Sequence, residues 1–273
     1  MGRWTKTIIH VTSKGLTFSV VPSRRPPSVQ VTSIMNHLRR LLPTATAQTT
    51  RNFATGPRGA RGHGWLVKYR SGRGGRHLQG RYHYRDVDEL RSINDKVFAM
   101  NSDANESTLV YMDLSIGGEP SNRIVVELAS VALPQTSQNF RLLCQERQYN
   151  SSHVYKIEKS VGLCMGDTIY NNGMSGRCHP SVASIHNPYS FKDEGFYLSH
   201  TDAGMVSMMS PSVHSNDSRF LITTTDAPQL DGRFVAFGRV KEGMDVVENV
   251  ATSVFTKRGR PTVDVVVTDS GCL

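Results

Sequence analysis

No aspartate or glutamate occurs in the first 85 residues of this 273-residue chain, although that segment carries 16 lysines and arginines. The residues from Asp86 onward hold 16 basic against 23 acidic side chains, so the formal charge of +9 resides in the N-terminal segment and the rest stands at −7. Such asymmetry separates a basic tail from a globular part. Long apolar runs are missing as well. None approaches the roughly 18 residues that a membrane-spanning helix requires, since Arg, Lys or Pro interrupts the longest candidates, and no membrane span is expected. Cysteine is scarce: Cys144, Cys164, Cys178 and Cys272 show neither paired spacing nor Cys-x-x-Cys, which argues against a zinc site or a disulfide framework. Free thiols in a reducing compartment are the simplest reading. The ten histidines are scattered, with His77 and His83 in the basic segment and His179 and His186 far beyond it. Gly-rich GRGG at 72–75 lacks the Lys and the flanking strand and helix of a phosphate-binding loop, and nothing orders Ser, His and Asp into a triad. No metal and no cofactor is expected.

What the N-terminal segment does contain is arginine, serine and threonine, the composition of a mitochondrial transit peptide. Within MNHLRRLLPTATAQTTRNF, beginning at Met35, Leu38, Leu41 and Leu42 fall on one helical face and Arg39 and Arg40 on another, until Pro43 stops the helix. Arg51-Asn52-Phe53 ahead of Ala54 resembles an arginine-containing mitochondrial processing site. Residues 1–53 are therefore expected to be a mitochondrial targeting segment and the mature protein to lie on the matrix side. Translation from Met1 makes residues 1–34 an extended presequence; translation from Met35 makes them upstream sequence.

Residues 54–107 form a second unit, a basic Arg/Gly/aromatic arm and linker. Its first part, ATGPRGARGHGWLVKYRSGRGGRHLQGRYHYR, holds too few aliphatic residues for a core of its own. Three readings stay open for it. Arg73, Arg76 and their neighbours beside Trp65, Tyr69, Tyr82 and Tyr84 can bind RNA by phosphate contacts and base stacking. The same residues can anchor the chain in a groove of a large protein assembly. The segment can also be a plain spacer. DVDELRSINDKVF at 86–98 has the spacing of a short helix, with Val87, Leu90 and Asn94 along one side, and NSDANES at 101–107 reads as a polar linker.

Residues 108–273 have globular patterning. TLVYMDLSI and RIVVEL alternate with period two around the turn-rich GGEPSN and predict a hairpin. LPQTSQNFRLLCQ places Phe140, Leu143 and Cys144 at helical spacing, with Thr136 or Ser137 available as the cap, and MDVVENV predicts a second helix near the end. VYMDLSIGGEP (110–120), RIVVELASVALPQTSQNFRLLC (123–144), LDGRFVAFGRVKEGMDVVENV (230–250) and VDVVVTDSGCL (263–273) together resemble, in order, the scaffold of the cyclophilin family of peptidyl-prolyl cis-trans isomerases. The resemblance implies a mainly β fold, a closed eight-stranded barrel capped by two helices.

It also implies a site. The family pattern F-H-R-x-I-P-x-F-M-x-Q-G-G-D is matched by VYKIEKSVGLCMGD at 154–167, with Gly166 and Asp167 fixing the register. Lys156 then stands where the family has its catalytic arginine, Val161 and Gly162 where it has the pocket Phe and Met, and Cys164 where it has an orienting Gln. SMMSPSVHSNDSRFL at 207–221 places Met209, Ser210, Arg219 and Leu221 at the family's groove Ala, Asn, Gln and Phe. QLDGRF at 229–234 places Gln229 for Trp and Phe234 for His, and keeps Leu230. Lysine keeps the charge but lacks the planar fork of donors, and the smaller apolar residues strip the pocket wall. Met209 and Arg219 are expected to narrow the groove.

The sequence therefore points to a catalytically impaired member of the family, a binding or structural subunit of a large mitochondrial complex with weak or no cyclosporin binding. An active isomerase of altered preference and an RNA-binding protein are the alternatives. RCHPSVASIHNPYS at 177–190 is an insertion relative to the family and a candidate docking loop.

Overall fold

The computed structural model describes residues 6–12, 15–21, 86–103 and 108–273. The 35–42 helix, the processing site and the arm residues Trp65, Tyr69, Arg73, Arg76, Tyr82 and Tyr84 lie outside the described residues. The chain divides into two units, Met1–Gln48 and Thr49–Leu273. In the first, β1 (Lys6–Thr12) and β2 (Gly15–Val21) form an antiparallel hairpin.

The second unit is built on one eight-stranded sheet. Its strands are β3 (Leu109–Ile116), β4 (Glu119–Leu128), β5 (Lys156–Glu158), β6 (Gly162–Met165), β7 (Met205–Met208), β8 (Phe220–Thr223), β9 (Ala236–Glu242) and β12 (Val265–Cys272), in the order β12-β3-β4-β9-β7-β8-β6-β5. The small hairpin β10 (Thr256–Lys257) and β11 (Arg260–Pro261) forms a separate two-stranded sheet. The expected β3–β4 hairpin forms, but its turn is only Gly117-Gly118, both at positive φ, and Glu119 to Asn122 already belong to β4. Val110, Met112 and Leu114 of β3 point inward, as period-two alternation dictates.

The closed barrel implied by the resemblance does not form. The sheet is open, an antiparallel half-barrel whose end strands β5 and β12 do not pair with each other. Both outer edges are already engaged by other backbone. Ile157 of β5 donates its N–H to the Gly259 carbonyl at 2.8 Å, and the coil before β5 takes the edge of β12 through Ser151 N to Val267 O (2.8 Å) and Val154 N to Val265 O (2.9 Å). These bonds occupy part of each outer edge.

Three helices cover this sheet. In α2 (Pro134–Gln145) Phe140 is fully buried, with ring centroids of Tyr149, Phe220 and Phe237 at 5.3, 4.9 and 5.0 Å. Its N-terminus differs from expectation. Pro134 opens the helix early, so Thr136 and Ser137 lie inside it and Leu133 at the cap offers no side-chain acceptor. Glu194, distant in sequence, fills the gap: its carboxylate accepts from Gln135 N (2.9 Å), Thr136 N (2.8 Å) and Thr136 Oγ1 (2.8 Å). The second expected helix is α3 (Met244–Ser253), against β4.

The remaining helix, α1 (Val87–Ala99), buries Leu90, Ile93, Asn94, Val97 and Phe98 while Val87 stays exposed. Asn94 donates to Ser199 O (2.9 Å) and accepts from Ser199 N (3.0 Å), and the Arg239 guanidinium lies 4.2 Å over the Phe98 ring while bonding Glu127 and Asp95. This helix, assigned by sequence to the linker, is thus packed on the sheet. Among the described residues no helix is long and apolar enough to cross a membrane.

Removing the remote cap should be measurable. Glu194→Ala is expected to lower stability by about 1–2 kcal/mol, seen as a lower urea midpoint at unchanged slope.

Candidate functional site

Lys156 opens β5, and its side chain is 13% exposed. Residues two apart on a strand share a face, so Glu158 projects beside it and the carboxylate lies 3.4 Å from the Lys156 ammonium while only 3% exposed. Lys156 also faces Cys164 across the β5–β6 ladder, and the Gly259 turn lies on its stem, where a β-carbon would come within 3.1 Å of Lys156 Cε. Burial pushes the Cys164 thiol up to about 12, against the opposing pull of Lys156, so it stays a protonated, apolar neighbour.

Around it the fold brings together Tyr155, Val161, Cys164, Leu221, Ala227, Leu230 and Phe234, all buried, with Met209 packed against them. Thus Val161, Cys164, Leu221, Leu230, Phe234 and Met209, read from three separate stretches of sequence, converge on one apolar cluster. Tyr155 and Ala227 were not singled out; Tyr155 precedes Lys156 in the 154–167 motif, and that adjacency was the available signal. Ser210 and Gln229 are half-buried and stay outside the cluster. Gly162 holds φ 155°, and a β-carbon there would collide with the Ile222 carbonyl, so β6 meets the β8 backbone with no room for any side chain.

Two buried charges frame this cluster. Asp167 follows β6, and its carboxylate accepts from the backbone N–H groups of Ile169, Tyr170, Asn172, Gly173 and Ser175 and from Ser175 Oγ, at 2.8–3.3 Å. Burial by itself raises its pKa, but the hydrogen bonds from Tyr170, Ser175 and Ile169 outweigh it and hold Asp167 below the ordinary carboxylate value. The loop so wound presses Gly173 against the Tyr155 ring, leaving no space for a side chain there.

Arg219 is buried too, and its guanidinium turns toward that loop. It donates to Asp217 through Nε (3.1 Å) and Nη2 (2.6 Å) and to the Gly173 carbonyl through Nη1 (2.8 Å). Burial pulls its pKa down, but the Asp217 hydrogen bond and charge prevail and the guanidinium stays protonated. Beneath Leu230, His200 Nδ1 lies 2.6 Å from Asp231 Oδ1, which also accepts from the His200 N–H at 2.8 Å. That buried pair anchors the Pro228–Leu230 turn from which Leu230 enters the cluster.

Residues 111–272 match the model for cyclophilin type peptidyl-prolyl cis-trans isomerase/CLD. The chain belongs to the cyclophilin family. The 177–190 loop of this cyclophilin buries Cys178 and Val182 at its base and leaves Ile185 99% exposed near its tip. Arg177 stacks 4.8 Å from the Tyr189 ring, and His179 Nε2 lies 3.0 Å from Glu146. Among the described residues no group of three His, Cys, Asp or Glu side chains is arranged to hold a metal ion.

Because the folded Asp167 titrates below its unfolded value, its contribution is complete above the unfolded pKa near ~3.9 and is lost as pH falls through the folded one. Asp167→Asn should therefore be less stable than the parent by about 2 kcal/mol at pH 7, a gap that shrinks in urea titrations below about pH 4. Arg219→Gln should cost about 3–5 kcal/mol by stranding the Asp217 carboxylate, and adding Asp217→Asn should recover part of the loss.

Proposed function

We propose that this cyclophilin-like domain is catalytically impaired and acts as a binding or structural subunit of a mitochondrial assembly, with the Arg/Gly/aromatic part of the 54–107 arm, ahead of the packed α1, as its tether. The observation that carries the reading is the state of Lys156. Rotation about an Xaa-Pro bond meets a barrier of about 18–20 kcal/mol because amide resonance must be broken. A catalyst must aim a donor at the twisted amide over an apolar floor that the ring can enter. Here the cation that replaces the family's arginine is turned to Glu158, and the apolar side chains beside it contact one another and are buried. Opening such a cluster exposes apolar surface at roughly 25 cal/mol per Å². The acid-free, Arg-rich N-terminus supports mitochondrial delivery.

Prolyl cis/trans exchange on a short Xaa-Pro peptide, followed by NMR with the full chain and an arginine-containing cyclophilin as control, tests this. No acceleration over the uncatalysed tens-of-seconds scale is expected, nor cyclosporin binding, and Lys156→Arg alone should restore neither. Turnover by the parent that disappears in Lys156→Ala would instead establish an isomerase of altered preference. Co-migration of the endogenous protein with a large mitochondrial complex is expected; a free monomer at every salt concentration would remove the assembly role.

A further inference from the structure

The β10–β11 hairpin combines choices that each work against its own stability. Its ladder sets Lys257 directly opposite Arg260, like charges at the closest cross-strand position. The turn between them is Arg258-Gly259, with φ 55° and 79°, so an arginine occupies a left-handed position that favours Asn or Gly. Lys257, Arg258, Arg260 and the neighbouring Lys159 are all exposed, and none makes an ion pair among the described residues. Glu158, next to Lys159 in sequence, is buried and lies 3.4 Å from the Lys156 ammonium. This concentration of positive charge sits on a part of the chain whose overall charge is −7.

Phe255 stands at the base of the same hairpin. Its carbonyl is fixed by Thr262 N (2.8 Å) and Thr262 Oγ1 (2.9 Å), yet its ring is 82% exposed. A rigidly mounted bare ring beside unpaired cations matches what single-stranded nucleic acid needs, a π-face for a base and donors for the phosphates. A membrane-inserting hairpin would carry its apolar residue at the tip, where this one carries Arg258. An acidic peptide would use the cations and leave the ring idle.

We propose that the Phe255–Pro261 hairpin, with Lys159, is a binding site for single-stranded nucleic acid, in which phosphates relieve the Lys257–Arg260 repulsion and a base stacks on Phe255. The hairpin touches the Lys156 stem through Gly259, while its exposed cations and ring would act whether or not the proline groove is impaired.

The test uses the full chain and a fluorescein-labelled single-stranded RNA 12-mer of mixed sequence, with anisotropy read across a salt series. The basic arm is present in every variant, so differences report the hairpin. Lys257→Gln, Arg258→Gln and Arg260→Gln combined should lower the slope of log affinity against log salt by about 2, since each lost phosphate contact removes roughly 0.7. Phe255→Ala should weaken binding about tenfold with the slope unchanged. The triple variant should melt at the parent's temperature or higher, because repulsion is removed from the hairpin. An unchanged slope in the triple variant, an unchanged affinity in Phe255→Ala, or a loss of binding that tracks a loss of stability would each overturn the proposal. So would capture of a polyglutamate peptide or anionic phosphatidylserine vesicles through these residues without RNA affinity.

Discussion

A buried carboxylate has to find donors, and the way Asp167 finds them organises everything on one side of this domain. Leaving the charge unsolvated is prohibitive, so the chain after β6 winds back until the N–H groups of Ile169 through Ser175 converge on it. That winding decides where Gly173 lies. Gly173 in turn supplies the carbonyl that receives Arg219 and the flat surface that meets Tyr155. Arg219 neutralises Asp217, whose backbone carbonyl receives the Asn139 amide from α2. One ionised oxygen pair thus connects a loop, an ion pair, an aromatic ring and a helix.

On the proposed reading, the apolar cluster beside that framework is a concave site turned into ordinary interior. A groove kept open for a substrate must leave apolar surface in water until the substrate arrives, whereas packing Met209, Leu221 and Phe234 together captures the hydrophobic gain at once. Lys156 responds to the same pressure. A lysine this sheltered is stable only beside a counter-charge, and Glu158 two residues along the strand is the nearest position that can provide one. On the proposed reading, stability and binding partners, rather than prolyl chemistry, govern which residues occupy these positions.

Much of this was legible in the sequence wherever the controlling interactions are local. Alternation in TLVYMDLSI and RIVVEL marked β3 and β4, and helical spacing of Phe140, Leu143 and Cys144 marked α2. The motifs at 154–167, 207–221 and 229–234 held residues that converge on the cluster. What could not be read depends on encounters across the fold. The α2 cap comes from Glu194, some 58 residues from Thr136, and Gly259 and Ser151 bond to the outer edges of the open sheet. The direction of Arg219 was likewise hidden, since its long side chain answers to Asp217 and to Gly173, whose position is fixed only by Asp167.

The pairing of β12 with β3 joins Cys272 to Val110 and runs the length of both strands. A ribosome or a translocation pore delivers the chain from its N-terminus, so β3 waits with one edge bare until nearly all of the domain has emerged. Loop closure over that distance is slow, and in the interval β3 presents an apolar, unpaired template to any other extended chain nearby. The order in which the strands appear therefore leaves an aggregation-prone edge exposed while the chain is being made, a cost that follows from topology alone.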